Sequence, residues 1–191
     1  MFKPLASPLL TLSLGFTLSA AATAGTHTGL EDAQEATASY ARALKAELTA
    51  AIKRGGPLEA VETCHLEAPE IARIVSVEKD VQISRVSLKN RNPQAAPNDW
   101  QRQVLEQFEQ QRSQGADPAE LSWNETVDTS NGEEFRFMKA IPTAPVCLTC
   151  HGEDLAEPLA LKVAELYPED KATGYQAGEI RGAFVVTRQL D

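Results

Sequence analysis

Residues 121–141 read LSWNETVDTSNGEEFRFMKAI. Polar and apolar positions alternate through Trp123 in 121–127 and through Phe137 in 135–141. A two-residue period puts one face of each segment in a core, the pattern of strands half-buried in a sheet. Residues 128–133, which include Asn131-Gly132, supply the turn chemistry of a hairpin between them. The fold is therefore built outward from an antiparallel pair.

Downstream, the Gly-containing, β-branched run 180–187 predicts a further strand. Upstream, 81–88 predicts another, with Val81 and Ile83 alternating and a shift in the pattern at Val86. Residues 90–98 form a loop rich in Asn and Pro. Asn98 or Asp99 then caps a helix from Trp100 to about Arg112, with Trp100, Val104, Leu105 and Phe108 on one face. Residues 113–118 break that helix, and 158–167 predicts a short one. Towards the N-terminus, Leu30, Ala33, Tyr40, Leu44, Leu48 and Ile52 form one apolar stripe, so 29–54 is a long helix. Gly55-Gly56 stops it, and two shorter helical pieces follow over 57–65 and 67–77. This order of elements predicts an α+β fold, an antiparallel sheet with helices to one side.

The first residues have a different character. Lys3 is a positive start, residues 9–18 are apolar but too short for a full membrane span, and Ala22-Thr23-Ala24 fits an A-x-A cleavage site. Residues 1–24 are predicted to be a signal peptide, and 25–191 the mature domain, exported to the periplasm with no stable membrane insertion after cleavage. The net charge is −9, and loss of Lys3 makes it more negative. An acidic chain is a poor match for nucleic acid, which demands a basic face. A partner with a basic patch suits it better, and steering to it weakens with salt.

The three cysteines are Cys64, Cys147 and Cys150, an odd number for an exported protein. Two of them lie in Cys147-Leu148-Thr149-Cys150-His151, a C-x-x-C-H segment. Thiols at this spacing reach the two vinyl groups on a haem edge and form thioethers, and the next residue, His151, is held beneath the iron. Thioether formation also accounts for two of the three thiols. Competing readings of the pair are a small strained disulfide, a thioredoxin-like redox pair, or a zinc site built from Cys64, His65, Cys147 and Cys150. Val146, Leu148, Leu155, Leu159, Met138 and Phe137 are candidates to line an apolar pocket. Arg85, Lys89, Arg91 and Lys139 are candidate partners for haem propionates.

The opposite face of the iron has few candidates. No Met follows His151, and His27 lies in the predicted flexible start. Cys64, His65 and no protein ligand all stay open on the residues alone, with Met138 a weaker choice. A thiolate from Cys64 favours ferric over ferrous iron and lowers the reduction potential.

Four ordered segments add a resemblance: Cys64-His-Leu-Glu-Ala-Pro-Glu-Ile-Ala72, Ser87-Leu-Lys-Asn-Arg-Asn-Pro93, Cys147-Leu-Thr-Cys-His-Gly152 and Gly178-Glu-Ile-Arg-Gly-Ala183. The set resembles a bacterial family of single-haem c-type proteins with a PAS-like fold and a His/Cys-ligated haem. That family was first catalogued as a domain of unknown function. Its members occur as free exported proteins and as input domains of histidine kinases. The resemblance implies a PAS-like antiparallel sheet flanked by helices, with a long N-terminal helix, and one covalent haem c on Cys147 and Cys150. It further implies His151 as proximal ligand and Cys64 as distal ligand. Ala95 and Gln101 depart from the family pattern, which has Asn and Glu there.

Iron saturated by His151 and Cys64 fits electron transfer or a redox-responsive role with a redox partner protein, because no position is open for a substrate. The alternative is a sensor module in which reduction, or NO or CO, displaces Cys64 and signals to a separate partner. A haem enzyme such as a peroxidase requires an open iron and is disfavoured.

Overall fold

The computed structural model describes residues 29–190. The predicted signal peptide, its cleavage site and His27 lie outside the described residues. Eight regular elements follow in order: helix α1 (Gly29–Lys79), strand β1 (Gln82–Val86), helix α2 (Asp99–Ser113), strands β2 (Ser122–Thr129) and β3 (Gly132–Pro142), helices α3 (Leu148–His151) and α4 (Glu157–Leu166), and strand β4 (Ile180–Gln189). Short 3-10 turns at Pro93–Ala95 and Pro145–Cys147 punctuate the loops.

Helix α1 is two arms meeting at a kink. Gly55 has φ −145° and ψ 16°, and Gly56 has φ 71° and ψ −158°, a combination open essentially to glycine alone. The predicted stop is thus a corner. The second arm opens on Pro57, tolerated in a first turn where its missing N–H has no intrahelical partner to lose. The separate pieces expected over 57–65 and 67–77 are one helix. It passes through Leu66 and carries Pro69 inside it, where the missing N–H forfeits only the bond to His65 four residues back. The Tyr40 hydroxyl donates to the Ala68 carbonyl at 3.2 Å and ties the two arms together.

The sheet has four strands in the order β1-β4-β3-β2, every neighbour antiparallel. The β2–β3 hairpin is as read, with Thr129 opposite Gly132. Positive φ falls on Gly132 (106°) and not on Asn131, so the glycine begins β3 instead of sitting in the loop. Helix α2 begins on a capping box: Asn98 accepts from the Gln101 N–H at 3.1 Å, and the Gln101 side chain accepts from the Asn98 N–H at 3.0 Å. Gln101 retains the reciprocal acceptor that a capping Glu supplies.

Helices cover both faces of the sheet, not one side as expected. Ala33, Ala36, Tyr40 and Val75 of α1 pack on Ile83, Phe135, Phe137 and Val186. On the other face, Val104, Leu105 and Phe108 of α2 pack on Val86, Met138, Ala140, Ala183 and Val185. Strand alternation assigns the faces: 135 and 137 point one way, 138 and 140 the other. The shift at Val86 is the same effect, since Ile83 and Val86 differ by an odd number of residues. Among the described residues no helix is long and apolar enough to cross a membrane.

Candidate functional site

The C-x-x-C-H segment follows β3 through a bulge at Ile141/Pro142 and the turn Pro145–Cys147. Residues 148–151 complete one helical turn, α3. Gly152 ends it with its N–H on the Leu148 carbonyl at 2.8 Å, and a Cβ at Gly152 would lie 2.6 Å from that oxygen. Glycine is required there by close approach. A stretch of coil then runs beside the segment, with the Gly174 N–H on the Gly152 carbonyl and the Tyr175 N–H on the His151 carbonyl, both at 2.9 Å.

That coil sets the imidazole. His151 Nδ1 lies 2.7 Å from the Ala172 carbonyl oxygen. A carbonyl only accepts, so Nδ1 carries the proton and Nε2 keeps its lone pair, the tautomer a metal ligand needs. Burial pushes the His151 pKa down to about 2, assisted by the charges of Arg181, Arg91 and Arg85 and opposed by the bond to Ala172. The ring is neutral throughout the ordinary pH range.

The Ser87–Pro93 segment is the clamp behind it. Arg91 donates from Nε to Asp170 Oδ1 at 3.2 Å and from Nη2 to Oδ2 at 3.1 Å, with side chains only 10% and 9% exposed. The same Nη2 reaches the Cys150 carbonyl at 2.6 Å and the Ala172 carbonyl at 3.3 Å. Asp170 Oδ1 also accepts from the Ala172 N–H at 2.8 Å. One buried ion pair therefore holds both the second cysteine and the carbonyl that orients His151. Asn90, buried, shapes the loop through a bond to the Asn92 carbonyl at 3.0 Å, and its own carbonyl accepts from the Lys171 N–H at 3.0 Å.

Cys64 and His65 lie on the second arm of α1. Val61, a turn before Cys64, packs with Leu159, Val163 and Tyr167, and Cys150 and Leu155 pack against that same cluster. The arm and the C-x-x-C-H turn thus meet across α4. Burial pushes the Cys150 thiol pKa up, with the Arg91 charge pulling it down and a charge on Cys64 adding to the rise. Cys64 is exposed, yet enough protein flanks it that burial pushes its thiol pKa up, while Arg85 and Arg91 pull it down. His65 sets its ring edge-on to Tyr167, with centroids 5.0 Å apart.

Several expected participants are elsewhere. Met138 is fully buried on the α2 face, so it neither ligates nor lines the site, and Phe137 belongs to the α1 core with Tyr40. Val146 is 58% exposed. All three cysteines are free thiols, which removes the disulfide reading. Among the described residues no three His, Cys, Asp or Glu side chains gather in a metal-holding group, so the four zinc ligands are not assembled. Arg91 is committed to Asp170, Lys89 Nζ to the Thr173 carbonyl and Lys139 Nζ to the Ala119 carbonyl, both at 2.5 Å. Arg85 remains, its guanidinium 5.8 Å from the Tyr40 ring centroid. The residues missed in the sequence are Asp170, Ala172, Tyr175 and Arg181. Only Arg181 stood in a quoted motif, without a role.

The fold and site define an α+β domain that presents a C-x-x-C-H turn with its imidazole oriented by a backbone carbonyl, packed through one apolar cluster with the kinked-helix arm that carries a lone thiol. Residues 20–188 match the family described as Tll0287-like, and the chain belongs to that family. The family resemblance drawn from the four motifs holds. The crystal structure of the cyanobacterial heme-protein Tll0287 is similar in fold, with a TM-score of 0.60 and 23% identity over 85% of this chain and 92% of that one. No curated protein matches the sequence.

Proposed function

We propose that this chain is an exported c-type cytochrome carrying one haem on Cys147 and Cys150, with His151 and Cys64 as axial ligands, working in electron transfer or as a redox-responsive protein. The His151–Ala172 bond carries this reading. A half-buried imidazole held neutral, with Nδ1 spoken for, is suited to be a ligand, and it directly follows two thiols at thioether spacing. The fold shared with a solved haem-protein supports it. The bound haem would supply a one-electron iron couple. The chain's own residues orient His151, fix the backbone of Cys150 through Arg91, and bring Cys64 near as an anionic ligand. The acidic surface, with its net charge of −9, suits a redox partner with a basic patch in the periplasm. Held by both His151 and Cys64, the iron would have no open position for a substrate, which favours electron transfer over catalysis.

A second reading, a redox or gas sensor, draws on Cys64 itself. The thiol is exposed and lies on an arm hinged at Gly55-Gly56. Displacement by NO or CO would move that arm and signal to a separate partner. A prompt spectral change on adding CO to the reduced protein favours this reading, and no change under either gas removes it.

The deciding measurement is low-temperature EPR of the ferric holoprotein beside Cys64→Ala. A low-spin signal with narrow g-spread, lost in the variant, is expected. A high-spin or bis-imidazole signal, unchanged in the variant, would take Cys64 off the iron. Absence of covalently bound haem in the wild-type protein would end the reading altogether.

A further inference from the structure

The fourth motif, Gly178–Ala183, delivers a cation with no carboxylate partner among the described residues. Gly182 lets β4 approach β1: a Cβ there would lie 2.3 Å from the Val86 carbonyl. That approach brings the Arg181 carbonyl onto the Ser87 hydroxyl, which donates to it at 2.8 Å. The guanidinium of Arg181 then sits 5.3 Å from the Tyr175 ring centroid, with Nη1 on Ser87 Oγ at 3.2 Å and on the Lys89 carbonyl at 3.4 Å. Its Nε is buried and has no hydrogen-bond partner. Tyr175 also stands edge-on to His151, centroids 6.3 Å apart, so this cation lies close behind the proximal ligand.

The charge count is unbalanced. Arg181, Arg91 and Arg85 all act on His151, and they repel one another. Among the described residues the one carboxylate paired with any of the three is Asp170, on Arg91. Arg181 and Arg85 have none. A buried cation without a counter-charge is costly, and an orphaned N–H adds to that cost. The partly buried Arg181, with its orphaned Nε, calls for an anion, the exposed Arg85 is open to a second one, and a haem carries two propionates.

We infer that Arg181 and Arg85 are the carboxylate anchors of the cofactor, each holding one propionate. This rests on the haem reading above and adds which residues seat it. It also revises the sequence-based choice of propionate partners: Lys89, Arg91 and Lys139 are occupied by protein acceptors, and Arg181 takes their place. A free anion from solution has the same chemistry, so the test must separate the two.

The experiment uses holoprotein with covalently attached haem, compared as wild type, Arg181→Gln, Arg181→Lys and Arg85→Gln, by resonance Raman of the propionate-bending band and by redox titration. Arg181→Gln and Arg85→Gln are expected to shift the band and to lower the reduction potential, because each removes a cation that offsets a propionate. Arg181→Lys retains most of both signals. If Arg181→Gln does not fold, Arg85→Gln decides, since that side chain is exposed. A band unmoved in haem-loaded variants overturns the inference. So does a response of the wild-type spectrum to added phosphate that Arg181→Gln abolishes while the band stays put, which would assign the cation to a free anion. Loss of haem from the wild type would sink the functional reading instead, so the two failures are distinct.

Discussion

His151 and Cys64, the two proposed ligands, stand in opposite structural conditions. His151 is half-buried, ends a one-turn helix closed by a required glycine, and is fixed at Nδ1 by Ala172, whose carbonyl is itself held by the Arg91–Asp170 pair. Cys64 is exposed, and among the described residues its sulfur makes no hydrogen bond. It is carried on an arm with a glycine corner at one end and Pro69 one turn further on. The proximal side is over-determined and the other is not. Under the proposed ligation, that difference locates exchange on the Cys64 side, because the thiol can leave without breaking a hydrogen bond to the protein.

The strongest blow to this contrast falls on Asp170. Asp170→Asn keeps the volume but leaves Arg91 buried without its counter-charge, and breaking such a pair costs about 3–5 kcal/mol. The expected result is a large fall in the unfolding midpoint of the holoprotein, together with a perturbed His151 environment. A variant that unfolds like wild type would show that the clamp contributes no rigidity, and the contrast between the two sides would lose its basis.

Cys64→Ala tests the other side, and the expected effect is smaller and different in kind. Unfolding should barely change, because an exposed thiol without hydrogen bonds contributes little. The reduction potential should rise, since removing an anionic ligand relieves its preference for ferric iron. The expected rise is at least about 60 mV, tenfold in a one-electron equilibrium constant. A stability loss as large as that of Asp170→Asn, with no change in potential, would reverse the roles assigned to the two sides.

The sequence showed the candidate ligands more clearly than what holds them. Local signals carried far: alternation in 121–141 marked β2 and β3, the glycine pair marked the corner of α1, and Asn98 marked the start of α2. The expected faces of the strands were not followed through. Phe137 and Met138 are adjacent in a strand and so cannot line one pocket. The break expected near Leu66 is absent: the hydrogen bond that Pro69 forfeits does not outweigh the packing of Val61 and Val75 on either side. Asp170, Ala172 and Tyr175 gave no signal because they act from an irregular stretch, two of them partly through backbone atoms, and backbone acceptors carry no side-chain signature. Arg91 was visible as a charge, but its partner lies 79 residues away.

The smallest effect discriminates most finely between neighbours on the arm. Cys64 and His65 are consecutive on a helix, about 100° apart, so they cannot both face the same point. The His65 ring already has a partner in Tyr167, at 5.0 Å and an interplanar angle of 76°. An edge-to-face ring contact of this kind is worth about 0.5–1.5 kcal/mol. His65→Ala should therefore lower stability by about that amount, measured by chemical unfolding, and leave the EPR spectrum and potential of the holoprotein unchanged. A changed g-spread with unchanged stability would mean that the arm turns His65 to the iron instead. The thiol would then be the bystander, and the looseness of this side would belong to an imidazole.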